Sequence, residues 1–128
     1  MTRSCSFYIN KSIRKGRHYE LEKYFSPSIP LFHQSLDHYQ PTGLYAMEHL
    51  SGLLGARVVF IKDESQRFSI GAFKALGASW AVHRLIQLYP RQQLFCTATD
   101  GNHGRALAWA CRMMNRKAVI FMPGHTVD

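Results

Sequence analysis

The sequence predicts an α/β fold in which a parallel sheet is flanked by helices. Three short apolar runs, at residues 57–62, 94–98 and 117–122, are rich in strand-forming residues. Two stretches with the apolar spacing of amphipathic helices separate them. Apolar strands that alternate with helices are typical of a parallel sheet covered on both faces. The 128 residues, 46% of them apolar, are enough for one compact domain.

The chain before the first strand is weakly periodic. Residues 1–40 are basic and aromatic, and the prolines within residues 25–30 indicate a loop. Gln40-Pro41-Thr42-Gly43 interrupts the chain again, and residues 44–54 are predicted to form a helix that ends at Gly55. The first predicted strand follows directly, bounded by Gly55 and by a polar run.

After the first strand, helices and strands alternate in a regular way. Apolar residues at helical spacing predict one helix over about 72–89 and a second over 102–115. Tyr89-Pro90 ends the first of these helices, and Pro123-Gly124 ends the last strand. The predicted order is therefore helix 72–89, strand 94–98, helix 102–115 and strand 117–122.

Composition argues against several classes of function. Sixteen Lys and Arg residues against eight Asp and Glu give a net charge of +8, but the basic residues are spread along the chain. Nucleic-acid binding usually concentrates such charge on one element, so we expect no nucleic-acid partner. The three cysteines and seven histidines lack metal-ligand spacing, and we expect no metal site. No apolar run approaches the ~18 residues of a membrane span, and no secretory signal is evident, which favours the cytoplasm.

Lys74 is the first candidate for chemistry. In open parallel sheets, ligands bind beyond the carboxyl ends of the strands, where residues 62–79 and 97–109 form polar loops. Lys74 begins a predicted helix and follows Phe73, and an amine in this place is a candidate nucleophile for a Schiff base. The alternative is an ordinary surface lysine, which is the more frequent case.

The second polar loop contains Thr99-Asp100-Gly101-Asn102-His103-Gly104. Its glycines would let the backbone approach a ligand, the Asn102 amide could donate to a ring oxygen, and Asp100 supplies a carboxylate. An alternative without any ligand is equally open, in which Asp100 or Asn102 caps the following helix.

Together the two loops resemble those of the fold-type-II pyridoxal-phosphate enzymes, which include serine/threonine dehydratases and threonine synthases. Ala72-Phe73-Lys74 resembles the segment that carries the cofactor lysine, and Thr99–His103 resembles the S/T-x-G-N-H segment after the next strand. KDES-x-RF, FKALG, TATDGNHGR and the upstream QPTxLY are similar to the diaminopropionate ammonia-lyase branch in particular. The resemblance covers roughly residues 20–125.

The resemblance implies a role for each matching residue. Lys74 would hold pyridoxal 5'-phosphate as an internal aldimine and then act as a base on the α-proton. Phe73 would pack near the cofactor ring, and Asn102 would bind its 3′-oxygen. Asp100 would be a second acid/base on the opposite face, whereas His103 would be structural. The implied reaction is α,β-elimination of ammonia from 2,3-diaminopropionate, an amino-acid substrate, giving pyruvate and ammonia.

The resemblance also implies that the chain is incomplete. Residues 1–40 would belong to an incomplete large domain, and residues 41–128 would be part of its cofactor-binding region. The downstream domain and the glycine-rich phosphate-binding loop are absent from this sequence, so we expect inactivity of the chain alone and a homodimer for the complete enzyme. The alternatives are a serine/threonine dehydratase-like lyase and a non-catalytic remnant without cofactor.

Two residues depart from the family pattern. Gly43 replaces a proline, which loosens a turn. Ser69 replaces a common glycine, and this exchange matters if φ is positive there.

Overall fold

The computed structural model describes residues 26–124, and its helices and strands confirm an α/β fold. Of the predicted N-terminal segment 1–40, residues 1–25 lie outside the described residues. The elements, in chain order, are α1 (Ser28–Gln34), β1 (Leu44–Ala46), α2 (Glu48–Leu54), β2 (Phe60–Lys62), a 3-10 turn (Arg67–Ser69), α3 (Lys74–Leu88), β3 (Leu94–Ala98), α4 (Asn102–Met113) and β4 (Lys117–Phe121).

The core lies where α4 packs on α3 and on one face of a parallel β3–β4 pair. The strands align Leu94 with Lys117 and Ala98 with Phe121. Small side chains dominate the contact between the helices and let their backbones approach closely. The buried core consists of Phe68, Ala75, Ala78, Val82, Phe95, Ala106, Leu107, Ala110 and Cys111.

The prediction of one sheet covered on both faces is wrong for the described residues. β2 pairs antiparallel with β1, and only β3 and β4 are parallel. Phe95 points into the core, but Leu94, Val119 and Phe121 are exposed, so within residues 26–124 the helices cover one face. The apolar residues on both faces of these strands therefore did not predict which face of the sheet a helix covers.

The predicted helix over 44–54 is also wrong at its start. Residues 44–46 form β1, and α2 begins only at Glu48 before ending, as predicted, at a left-handed Gly55. Pairing with β2 explains the difference, because its ladder satisfies backbone groups that a first helical turn leaves open. The Met47 amide donates to Val59 O at 2.8 Å, and the Asp63 amide donates to Gly43 O at 3.0 Å.

Arg67 connects the segment before β1 with the segment after β2. Arg67 is 4% exposed, and its guanidinium donates four hydrogen bonds: two to the Glu64 carboxylate, one to Gln40 O and one to Thr42 Oγ1. The rings of Tyr39 and Phe68 lie 5.6 and 5.7 Å from its central carbon. The QPT and KDES-x-RF motifs therefore meet at one buried ion pair.

The ion pair changes the acidity of Glu64. Hydrogen bonds from Arg67 lower the pKa of the Glu64 carboxyl to about 2 from an ordinary 4.5, and a hydrogen bond from Thr42 adds to the effect. A depressed folded-state pKa contributes stability that is fully present above pH 4.5 and lost as the pH falls toward about 2.

We expect Glu64→Gln to reduce the free energy of unfolding at neutral pH by about 1–3 kcal/mol, because Arg67 stays buried without its counter-ion. The variant should also lose stability less steeply than the parent below pH 4.5, since the titrating group is gone. Urea denaturation of the full chain between pH 2.5 and 7 measures both effects. The free energy of unfolding of a small domain usually falls by ~1–3 kcal/mol per molar urea.

Glu48→Gln is the matched control, because Glu48 is exposed at the start of α2. It should lose less than about 1 kcal/mol at neutral pH. An acid-induced loss as steep in Glu64→Gln as in the parent chain would contradict the role of this ion pair.

Candidate active site

Lys74 is the first residue of α3, as the sequence predicted within two residues. The first turn is tight, since the amides of Ala75 and Leu76 donate to the carbonyls of Ala72 and Phe73 at 3.1 and 3.2 Å. No side chain caps this end of the helix. The side chains of Lys74 and Phe73 are exposed to solvent at this end of the helix, and Phe73 is 62% exposed.

The Lys74 side chain lines a cleft of about 470 Å³, which is within the ~300–1,000 Å³ of small-molecule sites. Within residues 26–124 the Lys74 amine has no hydrogen-bond or ion-pair partner, so no carboxylate there competes for it. A side chain at Gly77 would meet nothing within 4 Å, which keeps this wall of the cleft open. The cleft is lined by Phe73, Lys74, Leu76, Gly77, Ala78 and His103.

The turn between β3 and α4 holds the other predicted site residues. Asp100 is exposed and lines a second cleft, of about 490 Å³, with Thr99 and with residues at the end of β4. Asn102 is the exposed first residue of α4. Gly101 occupies the N-cap position and no side chain caps the helix, so the alternative of capping by Asp100 or Asn102 is wrong.

The structure brings together some of the predicted residues but not all. Phe73 and Lys74 share one cleft, whereas Asp100 lines the other, and Asn102 lies at the start of the helix between them. His103, expected to be structural, is exposed and lines the Lys74 cleft. Its place in the first turn of a helix that follows a strand end was the signal that could have identified it.

One of the glycines of this turn is required for packing. A side chain at Gly101 would meet nothing within 4 Å. A Cβ at the buried Gly104 would lie 2.7 Å from methyl carbons of both Thr99 and Ile120. Gly104 therefore lets α4 pack closely on the sheet, and this packing sets where the first turn of α4 begins.

A strained turn connects the Arg67 ion pair to Lys74. Phe68 and Ser69 have φ values of 49° and 58°, in the left-handed region that side chains disfavour, and Gly71 has 60°. The Phe68 ring is buried and lies 4.5 Å from the Trp109 ring, centroid to centroid. Since tertiary contacts hold this conformation, the turn delivers Lys74 to a defined place.

The sequence profile described as "Pyridoxal-phosphate dependent enzyme" matches residues 35–128, which is more than half of the chain. The chain belongs to this family. Its matching part includes both loops that line the two clefts, and its fold is that of part of a fold-type-II enzyme.

Individual relatives agree with the family match. Diaminopropionate ammonia-lyase of Escherichia coli K12 is 38% identical over 109 residues, covering 72% of this chain and 27% of that protein. The enzyme of the same name from Salmonella typhimurium is 40% identical over 113 residues, covering 72% and 28%. The chain thus spans just over a quarter of the length of these curated relatives.

Solved structures of family members have the same arrangement of elements. Escherichia coli diaminopropionate ammonia-lyase in complex with an aminoacrylate-PLP azomethine reaction intermediate superposes with a TM-score of 0.69 at 38% identity, covering 80% of this chain and 30% of that one. Threonine deaminase isoform 2 from Solanum lycopersicum superposes with a TM-score of 0.63 at 30% identity, covering 84% and 28%.

The family cofactor, pyridoxal 5'-phosphate, fits the described residues at its reactive end. Its aldehyde needs an amine without a competing partner, and its ring needs an apolar surface; the Lys74 cleft offers both within the described range. Its phosphate needs several backbone amides, as in a glycine-rich loop, and residues 26–124 contain no loop of that kind.

We expect Ser69→Gly to raise the free energy of unfolding by about 0.5–1 kcal/mol, because glycine adopts the positive φ of this position without steric cost. Gly71→Ser is the reciprocal change. It should lower stability by at least about 1 kcal/mol, since its Cβ would lie 3.0 Å from Ser65 O at a φ of 60°. Chemical denaturation of both variants tests the strain, and a destabilised Ser69→Gly would contradict it.

Proposed function

We propose that this chain is the lysine-bearing part of a pyridoxal-phosphate-dependent ammonia-lyase that releases ammonia from 2,3-diaminopropionate and leaves pyruvate. The observation that carries the proposal is the Lys74 amine, which begins α3 and lines an open, mainly apolar cleft without a partner among the described residues. The similarity to the two diaminopropionate ammonia-lyases supports the choice of substrate class.

Lys74 is the residue that attaches the cofactor and then moves a proton. Its amine would hold the cofactor through the aldehyde and, when free, would accept the proton at the substrate Cα. Phe73, Leu76 and Ala78 give the cleft beside the amine a largely apolar lining. When bound, the cofactor would supply an electron sink for the charge left at Cα. A Cα–Cβ double bond would form as the β-amino group leaves as ammonia, and hydrolysis by water would release the second nitrogen as ammonia and leave pyruvate.

The turn after β3 supplies the remaining groups. The Asn102 amide donates a hydrogen bond to the ring oxygen of the cofactor, which orients the ring. Asp100 lines the other cleft, so the proposal requires that the bound substrate extends from the Lys74 cleft to Asp100. Asp100 would then accept the α-proton from the face opposite Lys74, and two bases on two faces would allow both enantiomers of the substrate to react. His103 adds an imidazole to the Lys74 cleft, where it can hydrogen-bond bound ligand.

The complete enzyme would need more than this chain. It would contain the phosphate site and act as a cytoplasmic homodimer, without nucleic-acid or membrane partners. No helix within residues 26–124 is long and apolar enough to cross a membrane, and that range holds no cluster of metal-binding side chains.

A serine/threonine dehydratase-like lyase is the second candidate, and the superposition on a threonine deaminase favours it. Asp100 distinguishes the two, because an aspartate within the GNHG loop is typical of the diaminopropionate ammonia-lyases. The presence of Asp100 makes that activity the preferred proposal.

The attachment of the cofactor can be tested with the chain itself. Incubation with pyridoxal 5'-phosphate followed by borohydride reduction should leave the mass of the cofactor on Lys74, read by peptide mass spectrometry. Lys74→Ala should abolish the adduct, because its amine forms the bond. Lys117→Ala removes an exposed lysine at the start of β4 and should retain the adduct on Lys74. Equal labelling of Lys62, Lys74 and Lys117 would refute a specific site.

The role of Asp100 can be tested in a polypeptide that supplies the rest of the family fold. Asp100→Asn should reduce kcat/KM for the D-enantiomer of diaminopropionate by about 10²–10⁴, the usual effect of losing a general acid/base, and affect the L-enantiomer less than about tenfold. Asp37→Asn removes an exposed carboxylate outside both clefts and should change neither value. Unchanged turnover of the D-enantiomer in Asp100→Asn would contradict the assignment.

A further inference from the structure

A buried histidine connects α1 to the first turn of the lysine-bearing helix. His33 is 8% exposed, and its Nε2 lies 2.8 Å from Leu76 O, a carbonyl 43 positions further along the chain. A carbonyl oxygen only accepts, so Nε2 of His33 carries the hydrogen and donates it. Leu76 is the second residue after Lys74 and lines the same cleft.

Aromatic packing holds His33 in this position. α1 has seven residues and would be marginal by itself. The Phe32 ring stacks on His83 with centroids 4.3 Å apart and lies 5.4 Å from Trp80, both on α3. Burial lowers the pKa of His83, which favours the neutral ring in this stack. α1 is therefore docked on α3 by rings, and its one directional contact with α3 in the described chain is the His33 bond.

The first turn of α3 needs such a contact. It follows directly on the strained turn at Phe68–Gly71, and no side chain caps it. Short-range bonds from Ala75 and Leu76 to the residues three positions before begin it, and the Ser79 hydroxyl donates locally to Leu76 O at 3.1 Å. Terminal turns held only by local bonds open more readily than helix interiors. A donor from a distant element that binds Leu76 O opposes this opening.

We propose that His33 is a positioning residue for Lys74, which acts by holding the Leu76 carbonyl and thereby the first turn of α3. The inference rests on the proposed function insofar as Lys74 is the cofactor lysine. His33 itself touches neither the cleft nor its ligand, since the lining of the cleft contains no residue of α1. Its effect is on the orientation and persistence of the turn that carries the amine.

Two substitutions separate the hydrogen bond from the packing. The Gln side-chain amide reaches about as far as Nε2 of histidine, so His33→Gln keeps a donor near Leu76 O. The Asn amide is one bond shorter and has the same chemistry, so His33→Asn loses the contact. Phe32→Leu is the packing control, because it weakens the stack on His83 and leaves the His33 donor in place.

Amide hydrogen exchange of the full chain is the first measurement, since it does not require cofactor. In His33→Asn, amides 75–78 should exchange about three- to tenfold faster than in the parent chain, the effect of one lost hydrogen bond, while amides 85–88 change little. His33→Gln should stay close to the parent. Phe32→Leu should affect the two ends of α3 alike.

The rate at which pyridoxal 5'-phosphate becomes attached to Lys74 is the second measurement, and it should fall in His33→Asn by a similar factor and recover in His33→Gln. The proposal would be overturned if exchange in His33→Asn accelerated uniformly along α3. It would also be overturned if the Gln and Asn variants had equal exchange and attachment rates. Failure of the parent chain to attach the cofactor would count against the proposed function alone, and the exchange data would still decide the role of His33.

Discussion

The ion pair between Arg67 and Glu64 is the interaction on which the rest of this structure depends. Arg67 is 4% exposed, and its charge is tolerated there because carboxylate, carbonyl and hydroxyl oxygens accept the hydrogens of the guanidinium. Those acceptors come from residues 40–42 and from Glu64, so two distant segments must meet before Arg67 can be buried. Without the Glu64 carboxylate, the buried Arg67 would have no counter-ion, which is strongly destabilising.

The consequences of this pair continue into the candidate site. Phe68 and Ser69 follow Arg67 in backbone conformations that the chain would not adopt alone, and burial of the Phe68 ring against Trp109 of α4 maintains them. The strained turn ends where α3 begins, with Lys74. Close packing of α4 on the sheet at Gly104 places His103 on the opposite side of the same cleft. Buried contacts on both helices thus flank the exposed amine of Lys74.

Local pattern was sufficient for the C-terminal half of the fold. The limits of β3 were predicted to the residue, and those of α4 and β4 within two, because apolar period and proline or glycine stops coincide there. Residues 44–54 were harder. Their composition suits a helix, but β1 forms because β2 offers a partner, and pairing between segments 14 or more residues apart leaves no periodic signal.

The sequence by itself determined which lysine, aspartate and asparagine are candidates for chemistry and which family the chain resembles, and it singled out Ser69 as a position where a positive φ would matter. A motif requires particular side chains at fixed spacing along the chain, so it can be recognised from the sequence alone. Only the tertiary structure decided that Lys74 shares its cleft with His103 and not with Asp100, that Gly104 serves packing, and that His33 reaches Leu76. These facts depend on contacts between residues far apart in the chain, whose energies appear only when both partners are in place.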